Sequence, residues 1–318
     1  MLLTILSAAC SALPGASAPE ATTIRIAKQP GLGYLGLIVM RERKLLEKYA
    51  PGVKVEWNEL TSGPAIRDAM IANQLDVGSG GTAPFVQGFD KGIKWKIAGA
   101  LNEMPLYLNV NNPSIQSLKD FGPSDKIALP APGSIQHITL QMAAEKELGD
   151  PKKLDNIIVA MAHPDGQAAL LSKKEITGHF TSPPFQYEEL KDSSIHRVLN
   201  SYDVVGGPHA FNLTWMTEDF KNKNPKLYKA YVDALTEATD YINSSPEDTA
   251  RLFVEGEQSK LSAQDILGQM KSDGIRFSMT PTGLMKYADF MKRTGVIQNV
   301  PGSWKDYAFE NLHDLPGS

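Results

Sequence analysis

The segment TIRIAKQPGLGYLGLIVM, residues 23–40, sets a strand-like run, a glycine-rich turn and a helix-like run in direct succession. Apolar residues alternate with polar ones in TIRIAK, and after the turn they recur near helical spacing as far as residue 49. VKVEWNE is strand-like again, and Gly63-Pro64 opens the next helix with proline in its first turn. Because strands and helices alternate in this way, we predict an α/β fold with mostly parallel sheets flanked by helices.

The spacing of Gly31, Gly33 and Gly36 also matches the fingerprint of dinucleotide-binding folds, G-x-G-x-x-G. Glu56 even lies near the distance at which such folds place a ribose-binding carboxylate. Pro30, however, interrupts the junction between strand and first glycine. Nicotinamide cofactors are also cytoplasmic, whereas the first residues indicate secretion. We therefore predict that the protein uses no cofactor.

The N-terminal sequence MLLTILSAACSALPGASAPEA, residues 1–21, is typical of a secretory signal peptide. A short apolar run precedes the small residues 16–18, which match an A-x-A cleavage site. We predict cleavage between residues 16 and 21 and a periplasmic location. One alternative is a lipoprotein-like site at Cys10, and another is a frayed cytoplasmic N-terminus. Cys10 is the only cysteine, so cleavage would leave a chain without disulfides or thiolate chemistry.

Length and charge limit the organisation and the partners. With 318 residues, the chain is long enough for two lobes. Two extended passages, residues 104–113 and 195–215, separate two α/β units, and the chain reads as helical from residue 216. We predict one lobe from residues 22–107 and 214–318, a second from residues 108–213, and two hinge crossings between them. The formal net charge of −4, with dispersed Lys and Arg, argues against a nucleic-acid partner.

The sequence has few signs of catalysis. Its six histidines lack the spacing of known metal-binding motifs, and no nucleophile elbow or phosphate-binding P-loop is present. We therefore predict a protein that is not an enzyme, with no catalytic residue and no metal site.

Four turns before helices are rich in Gly, Ser and Thr: QPGLGY, TSGPAI, GSGGTAP and PAPGSIQH. Free N–H groups and the helix dipole make helix N-termini suitable for anionic ligands. In open α/β sheets such turns gather at the carboxyl ends of the strands, where ligands bind. Aromatic residues and histidines accompany these turns, and we take His163, Phe180 and Trp215 from them as candidate ligand contacts.

The order of these segments resembles that of periplasmic solute-binding proteins of ABC importers, in the nitrate, sulfonate and taurine group. This group also includes binders of thiamine-pyrimidine precursors and riboflavin. The similar segments are IAKQPGLGYLGLIVMRERKLLEK, AIRDAMIANQLDVGSGGTAPFVQG, LPAPGSIQHITLQMAAEKELG and FKNKNPKLYKAYVDALTEATDYINSSPEDTARL. The resemblance implies a type II two-lobe fold, closure around one ligand, and delivery to a membrane permease. The ligand-binding residues that it implies are Gln29, Tyr34, Ser62, Gly81, Thr82, Ser134 and His137. It also implies that the glycines of the first turn let the backbone approach a ligand.

One departure from the family pattern bears on the ligand. Taurine-type members commonly carry an acidic residue and a Trp in the strand before the second-lobe turn, where this chain reads GHFTSPPFQ. Without a carboxylate, an ammonium group would be left unpaired in a desolvated cleft. An alkyl or aromatic body with a sulfonate or carboxylate head is instead favoured by Phe180, Thr181, Ser182 and Phe185, unless TSPP only shapes a turn.

We therefore expect the monomeric substrate-binding subunit of an ABC transporter that takes a small organic anion. One alternative is a neutral heteroaromatic ligand stacked between Tyr34 and Phe180. Another is a secreted enzyme on the same fold, although the thiamine-pyrimidine enzymes of that fold rely on a cysteine-rich motif.

Overall fold

The computed structural model describes residues 19–318, so the apolar run and Cys10 of the predicted signal peptide lie outside the described residues. The first α/β unit begins at residue 23 and ends at residue 100. Its elements are β1 (Thr23–Lys28), α1 (Leu35–Glu42), α2 (Leu45–Tyr49), β2 (Lys54–Glu59), α3 (Gly63–Ile71), β3 (Gly78–Gly81), α4 (Thr82–Asp90) and β4 (Trp95–Ala100).

The second unit follows a short crossing of the chain. It comprises β5 (Tyr107–Val110), β6 (Ile127–Leu129), α5 (Ile135–Leu148), β7 (Ile158–Ala160), α6 (His163–Ser172), β8 (Gly178–Thr181), α7 (Phe185–Glu189), β9 (His196–Asn200) and α8 (Ser201–Val205). The chain then returns through β10 (Asn212–Thr217) and ends in α9 (Glu218–Lys223), α10 (Pro225–Ser244), α11 (Pro246–Gly256), α12 (Ala263–Met270) and α13 (Leu284–Arg293).

The sheets of the two lobes have the same strand order. In the first lobe β1 pairs with β2, a parallel bridge between Ile26 and Val77 joins β1 to the start of β3, and β10 lies between β3 and β4. The spatial order is therefore β2-β1-β3-β10-β4, and in the second lobe it is β7-β6-β8-β5-β9. In each sheet, all of the described strands but one run in the same direction. The exception is the strand that enters from the other lobe, which is antiparallel to its neighbours: β10 in the first lobe and β5 in the second. The protein thus has the predicted α/β fold of two lobes with two crossings.

The two crossings, residues 101–106 and 206–211, lie side by side. Leu101 N–H donates to Asn212 O at 2.9 Å, and Phe211 N–H donates to Asn102 O at 3.1 Å. A pair of adjacent, hydrogen-bonded strands allows bending but resists sliding. The base of the cleft is therefore a hinge. The lobe boundaries that we predict next to it, at residues 107/108 and 213/214, remain a prediction.

Two local predictions were wrong. The single helix expected up to residue 49 is interrupted at Lys44, whose φ of 51° is left-handed, so α1 and α2 are separate helices. The passage 195–215 is not extended throughout, since it contains α8. Asn200 caps α8 by accepting from Tyr202 N–H, and Gly206 ends it in the left-handed region.

The packed interior runs continuously from one lobe to the other. One hydrophobic cluster includes Ile24 and Phe85 of the first lobe and Leu108 and Ile138 of the second. Within residues 19–318, no helix combines the length and apolar character needed to cross a membrane.

Candidate functional site

A buried cavity lies between the lobes at the carboxyl ends of the strands. Its polar lining comes from both sides of the cleft: Gln29, Tyr34 and Asn212 from the first lobe, and Ser134, Gln136 and His163 from the second. Glycine, proline and apolar residues complete the lining that the structure describes. The cavity therefore has the mixed apolar and hydrogen-bonding character of a small-ligand site.

Four helices begin at this cavity. Gly63 is the first residue of α3, Gly81 immediately precedes α4, Ser134 caps α5, and His163 is the first residue of α6. Ser62 and Ser134 each accept a backbone N–H of their own helix at 3.2 Å, so further N–H groups of the first turns remain without a partner inside the helix. Positive helix ends from both lobes thus converge on one small volume.

None of the described residues that line the cavity carries a formal charge. Gln29 and Tyr34 are hydrogen-bonded to each other, with Nε2 of Gln29 donating to the Tyr34 hydroxyl oxygen. Burial raises the pKa of Tyr34, so its hydroxyl stays protonated. Since its oxygen already accepts from Gln29, its hydrogen is free to be donated to a ligand.

His163 is the titratable group of the second-lobe wall. Its Nδ1 lies 2.9 Å from the Thr181 hydroxyl, and its Nε2 lies 3.4 Å from Nε2 of Gln136. Burial, followed by the nearby His179, lowers its pKa well below the usual value. His163 is therefore a neutral hydrogen-bonding group at neutral pH.

Behind His163 lies a second buried polar cluster. Nδ1 of His179 is 2.5 Å from Glu189 Oε1, and Asn109 Nδ2 donates to the other oxygen of Glu189 at 2.8 Å. Rings of His163 and His179 are 5.7 Å apart. This cluster ties β5, β8 and α7 together and so fixes the strand that carries Thr181.

Five of the twelve candidate residues from the sequence line the cavity, and seven do not. The five are Gln29, Tyr34, Gly81, Ser134 and His163. The seven are Ser62, Thr82, His137, Phe180, Thr181, Ser182 and Trp215.

Three of the seven support the turns around the cavity. Ser62 caps α3 beside Gly63. Thr82 is the first residue of α4, and its hydroxyl donates to Ala210 O at 3.3 Å. His137 Nδ1 accepts from Gly133 N–H at 2.9 Å, and its Nε2 lies 3.1 Å from Asp155, so the ring braces the turn before α5.

The remaining four lie behind the lining. Thr181 reaches the cavity only through His163, and Ser182 is buried just beyond the end of β8. Phe180 is completely buried, so the lining does not contain the Tyr34–Phe180 stack of the heteroaromatic alternative. Trp215 packs against Phe85 and Trp95 in the first lobe, at ring distances of 5.7 and 5.8 Å.

Sequence reasoning named the helix-starting turns but missed particular lining residues. Ile135 and Gln136 follow the Ser134 cap, and Gly63 follows Ser62. Phe211 and Asn212 were missed because they lie where the second crossing enters β10 rather than in a turn before a helix. The signal that points to them is topological: chain that crosses between lobes must pass the floor of the cleft.

The lobes are closed in this structure. A Cβ atom placed on Gly81 would lie only 2.7 Å from Ile135 on the opposite wall. Gln87 Nε2 donates to Gly133 O across the cleft at 2.9 Å, and Leu32 N–H donates to Pro183 O at 3.1 Å. The cavity has a volume of about 10 Å³, close to the least that holds one water molecule. An organic ligand can enter only when the lobes separate.

Comparison with known proteins gives relatives of one kind. A protein of Brachyspira hyodysenteriae named as an ABC transporter periplasmic binding protein is 25% identical over 260 residues, which is 77% of this chain and 72% of the relative. A protein of Escherichia coli K12 named as an aliphatic sulfonates-binding protein is 34% identical over 80 residues, 25% of this chain and 24% of the relative.

A solved structure supports the fold independently. The alkanesulfonate-binding protein from Xanthomonas axonopodis pv. citri, bound to MOPS, superposes on this chain with a TM-score of 0.72 at 16% sequence identity. The superposition covers 89% of this chain and 96% of the chain of that protein. This chain accordingly has the fold of the periplasmic binding proteins.

The relatives are binding proteins of ABC transporters and not enzymes. The chain is thus similar to a periplasmic binding protein of an ABC transporter. Among residues 19–318, no group of three or more His, Cys, Asp or Glu could hold a metal ion. The family model described as the NMT1-like family matches residues 17–255, about three quarters of the chain, and the protein therefore belongs to the NMT1-like family.

Proposed function

We propose that the protein captures a small organic anion, an alkyl or aromatic sulfonate or carboxylate, in the interlobe cavity and delivers it to its permease. The observation that carries this proposal is the convergence of helix N-termini from both lobes on a cavity whose described lining has no charged residue. Each helix end contributes roughly half a positive charge, which favours an anionic head group.

The lining also supports an anion over an ammonium-bearing ligand. No Asp or Glu is among the described lining residues, so an ammonium group would lose its hydration without gaining a counter-charge. Tyr34 supplies a hydroxyl hydrogen that suits a sulfonate or carboxylate oxygen. The ligand in the name of the E. coli relative, an aliphatic sulfonate, belongs to the same chemical class.

Three further properties complete the proposal. The protein acts in the periplasm, which it reaches through the signal peptide that we predict at residues 1–21. It acts as a monomer, since each chain carries both walls of the cavity. Ligand binding stabilises the closed arrangement that the permease receives.

A thermal-shift panel tests the ligand class. Purified protein is heated with alkanesulfonates, aromatic carboxylates, pyrimidines and riboflavin, and with taurine as the ammonium-bearing match to the alkanesulfonates. A ligand at a hundredfold excess over its Kd should raise the free energy of unfolding by about 2.7 kcal/mol. Stabilisation by anions, with the ligand recovered unchanged by mass spectrometry, is the expected result. Stabilisation by pyrimidines or riboflavin alone would contradict the proposal, and stabilisation by taurine alone would refute the argument from the missing carboxylate.

A further inference from the structure

Asn212 is a polar residue of the cavity, and within residues 19–318 only one of the two polar groups of its side-chain amide has a hydrogen-bond partner. It is the first residue of β10, at the point where the second crossing enters the first lobe. The residue is completely buried and lines the cavity. Its side-chain oxygen Oδ1 has no hydrogen-bond partner among the described residues.

The orientation of this amide is fixed by a neighbour that can only accept. Nδ2 of Asn212 donates to Gly33 O at 3.0 Å. Turning the amide over would place Oδ1 against the same carbonyl oxygen, and two acceptors repel each other. The oxygen must therefore remain on the side without a protein donor.

Asn102 provides an internal comparison. It is also completely buried, and its Nδ2 donates to the same Gly33 O at 2.6 Å. Its Oδ1 is likewise unpartnered, but Asn102 is not among the lining residues. Of this pair, only Asn212 lines the cavity.

An unpaired acceptor in a closed cavity discriminates between ligands. A ligand without a donor leaves Oδ1 desolvated and unsatisfied when the lobes close, whereas a ligand with a suitable donor satisfies it. An amide oxygen offers a dipole rather than a counter-charge. It therefore suits a neutral O–H or N–H better than an ammonium group in this lining.

We propose that Asn212 is a specificity-determining residue that accepts a hydrogen bond from a hydroxyl or neutral N–H of the ligand. The preferred ligand is then an organic anion with such a donor on its short body, for example a hydroxyalkyl sulfonate or a hydroxy acid. This inference rests on the proposed function, because it assumes that the anionic head lies at the helix N-termini of the same cavity.

The test compares ligands that have equal numbers of heavy atoms. Isothermal titration calorimetry measures 2-hydroxyethanesulfonate against 1-propanesulfonate, and 3-hydroxypropanoate against butanoate. The expected result is that the hydroxylated member of at least one pair binds about tenfold more tightly or better, a difference of about 1.4 kcal/mol.

Two matched variants then locate the effect. Asn212→Leu should abolish the preference for the hydroxyl, because leucine has a similar shape but no acceptor. Asn102→Leu should retain the preference, although it removes an equivalent hydrogen bond to Gly33 O. Equal loss of the preference in both variants would overturn the assignment to Asn212.

The wild-type measurement remains decisive even if a variant fails to fold. Equal affinity for the two members of each pair would overturn the inference and leave the proposed function intact. Absence of binding by all four anions would also overturn the inference, and only the further absence of stabilisation by every sulfonate and carboxylate of the thermal-shift panel would refute the proposed function.

Discussion

Tyr34 supplies the cavity with a hydrogen-bond donor because of the residue next to it. Nε2 of Gln29 donates to its hydroxyl oxygen, and both side chains are buried. Burial also keeps the hydroxyl protonated by raising its pKa. A neutral pair of side chains thereby offers an anion a directed hydrogen without the desolvation cost of a buried cation.

Replacing this donor should weaken binding with little effect on the fold. We expect Tyr34→Phe to lower the affinity for an anionic ligand by about tenfold, the scale of one hydrogen bond to a charged group. Titration calorimetry with the best ligand of the panel measures the change. Tyr231→Phe is the matched control, since Tyr231 is buried in the first lobe, its hydroxyl lies 2.6 Å from Thr214 Oγ1, and it does not line the cavity. Equal affinity losses in both variants would contradict a direct role for Tyr34.

His209, a buried residue of the second crossing, makes the free energy of unfolding of the protein depend on pH. Its Nδ1 lies 3.1 Å from Ala210 O, which can only accept, so Nδ1 carries the hydrogen. Its Nε2 then accepts from the Ser201 hydroxyl at 2.9 Å. Burial lowers the pKa of His209 to about 4, while an unfolded histidine titrates near 6.5.

The sign of the effect follows from proton binding. Between pH 6.5 and 4 the unfolded chain binds a proton at His209 and the folded chain does not, so stability falls as the pH falls. We expect His209 alone to reduce the free energy of unfolding by about 2 kcal/mol between pH 7 and pH 5. His163 acts in the same direction, because its pKa is also lowered.

Denaturant titrations at the two pH values measure this loss, and His209→Gln isolates the contribution of one residue. The variant should lose less stability than the wild type on going from pH 7 to pH 5, because the carboxylates and His163 are common to both proteins. An equal loss in the two proteins would show that His209 is not the group responsible.

The candidate residues could be predicted from the sequence where they belong to a turn before a helix. Gln29, Gly81 and Ser134 are of this kind, because a cap or a glycine marks the turn in the sequence itself. Asn212 could not be predicted in this way, since its place in the cavity depends on the pairing of two crossings that are about 110 residues apart in the chain. Nothing local distinguishes its sequence from that of any strand start.

Among the elements, α5 can be predicted in full, because both of its ends carry strong signals in the sequence. Ser134 accepts from His137 N–H at the start, and Gly149 adopts a left-handed φ of 74° at the end. The break at Lys44 and the short helix α8 were not predicted, because short or interrupted helices depend on packing more than on propensity. The strand order of the sheets also lay beyond the sequence, since it is set by long-range pairing.

The N-terminal end of α5 forms the second-lobe wall against which the first lobe closes. Gly81 has φ −62° and ψ 156°, values that alanine adopts without strain. Its added methyl would nevertheless lie 2.7 Å from Ile135 Cβ, so Gly81→Ala should prevent full closure while leaving each lobe folded. We expect ligand affinity to fall by on the order of tenfold or more, together with a larger radius of gyration in the presence of ligand.

The control for Gly81→Ala is Gly268→Ala in α12, where an added Cβ meets nothing within 4 Å. That variant should bind ligand like the wild type and gain a little stability, because alanine favours helix over glycine. Unchanged affinity and unchanged closure in Gly81→Ala would mean that the lobes do not approach each other at this point when ligand is bound.

At the scale of the whole molecule, two lobes of the same strand order are joined by paired crossings and closed over a small cavity. In the first lobe the entering strand β10 lies beside β3, whose last residue Gly81 lines the cavity, and in the second lobe the entering strand β5 lies beside β8, whose Thr181 contacts the lining residue His163. Movement of the hinge therefore acts directly on both walls. A ligand can favour closure only through contacts that it gains when the lobes meet.

The hydrogen bond from Gln87 to Gly133 should measurably bias this equilibrium without touching the ligand. Arg67 orients Gln87 by donating to its Oε1 at 2.9 Å, and Gln87 Nε2 donates across the cleft to Gly133 O at 2.9 Å. Neither Gln87 nor Gly133 lines the cavity. Since one hydrogen bond contributes about 1 kcal/mol net, Gln87→Leu should shift the closure equilibrium toward the open form by about fivefold.

Small-angle X-ray scattering of the ligand-free protein should show a larger mean radius of gyration for Gln87→Leu than for the wild type. Calorimetry should show a weaker affinity, by up to the same factor, because ligand must also close the cleft without this bond. Gln116→Leu is the matched control, since Gln116 is exposed and donates to Pro113 O within the second lobe at 2.8 Å. If Gln87→Leu kept the radius and affinity of this control, the bond across the cleft would contribute nothing to closure, and the ligand alone would have to hold the lobes together.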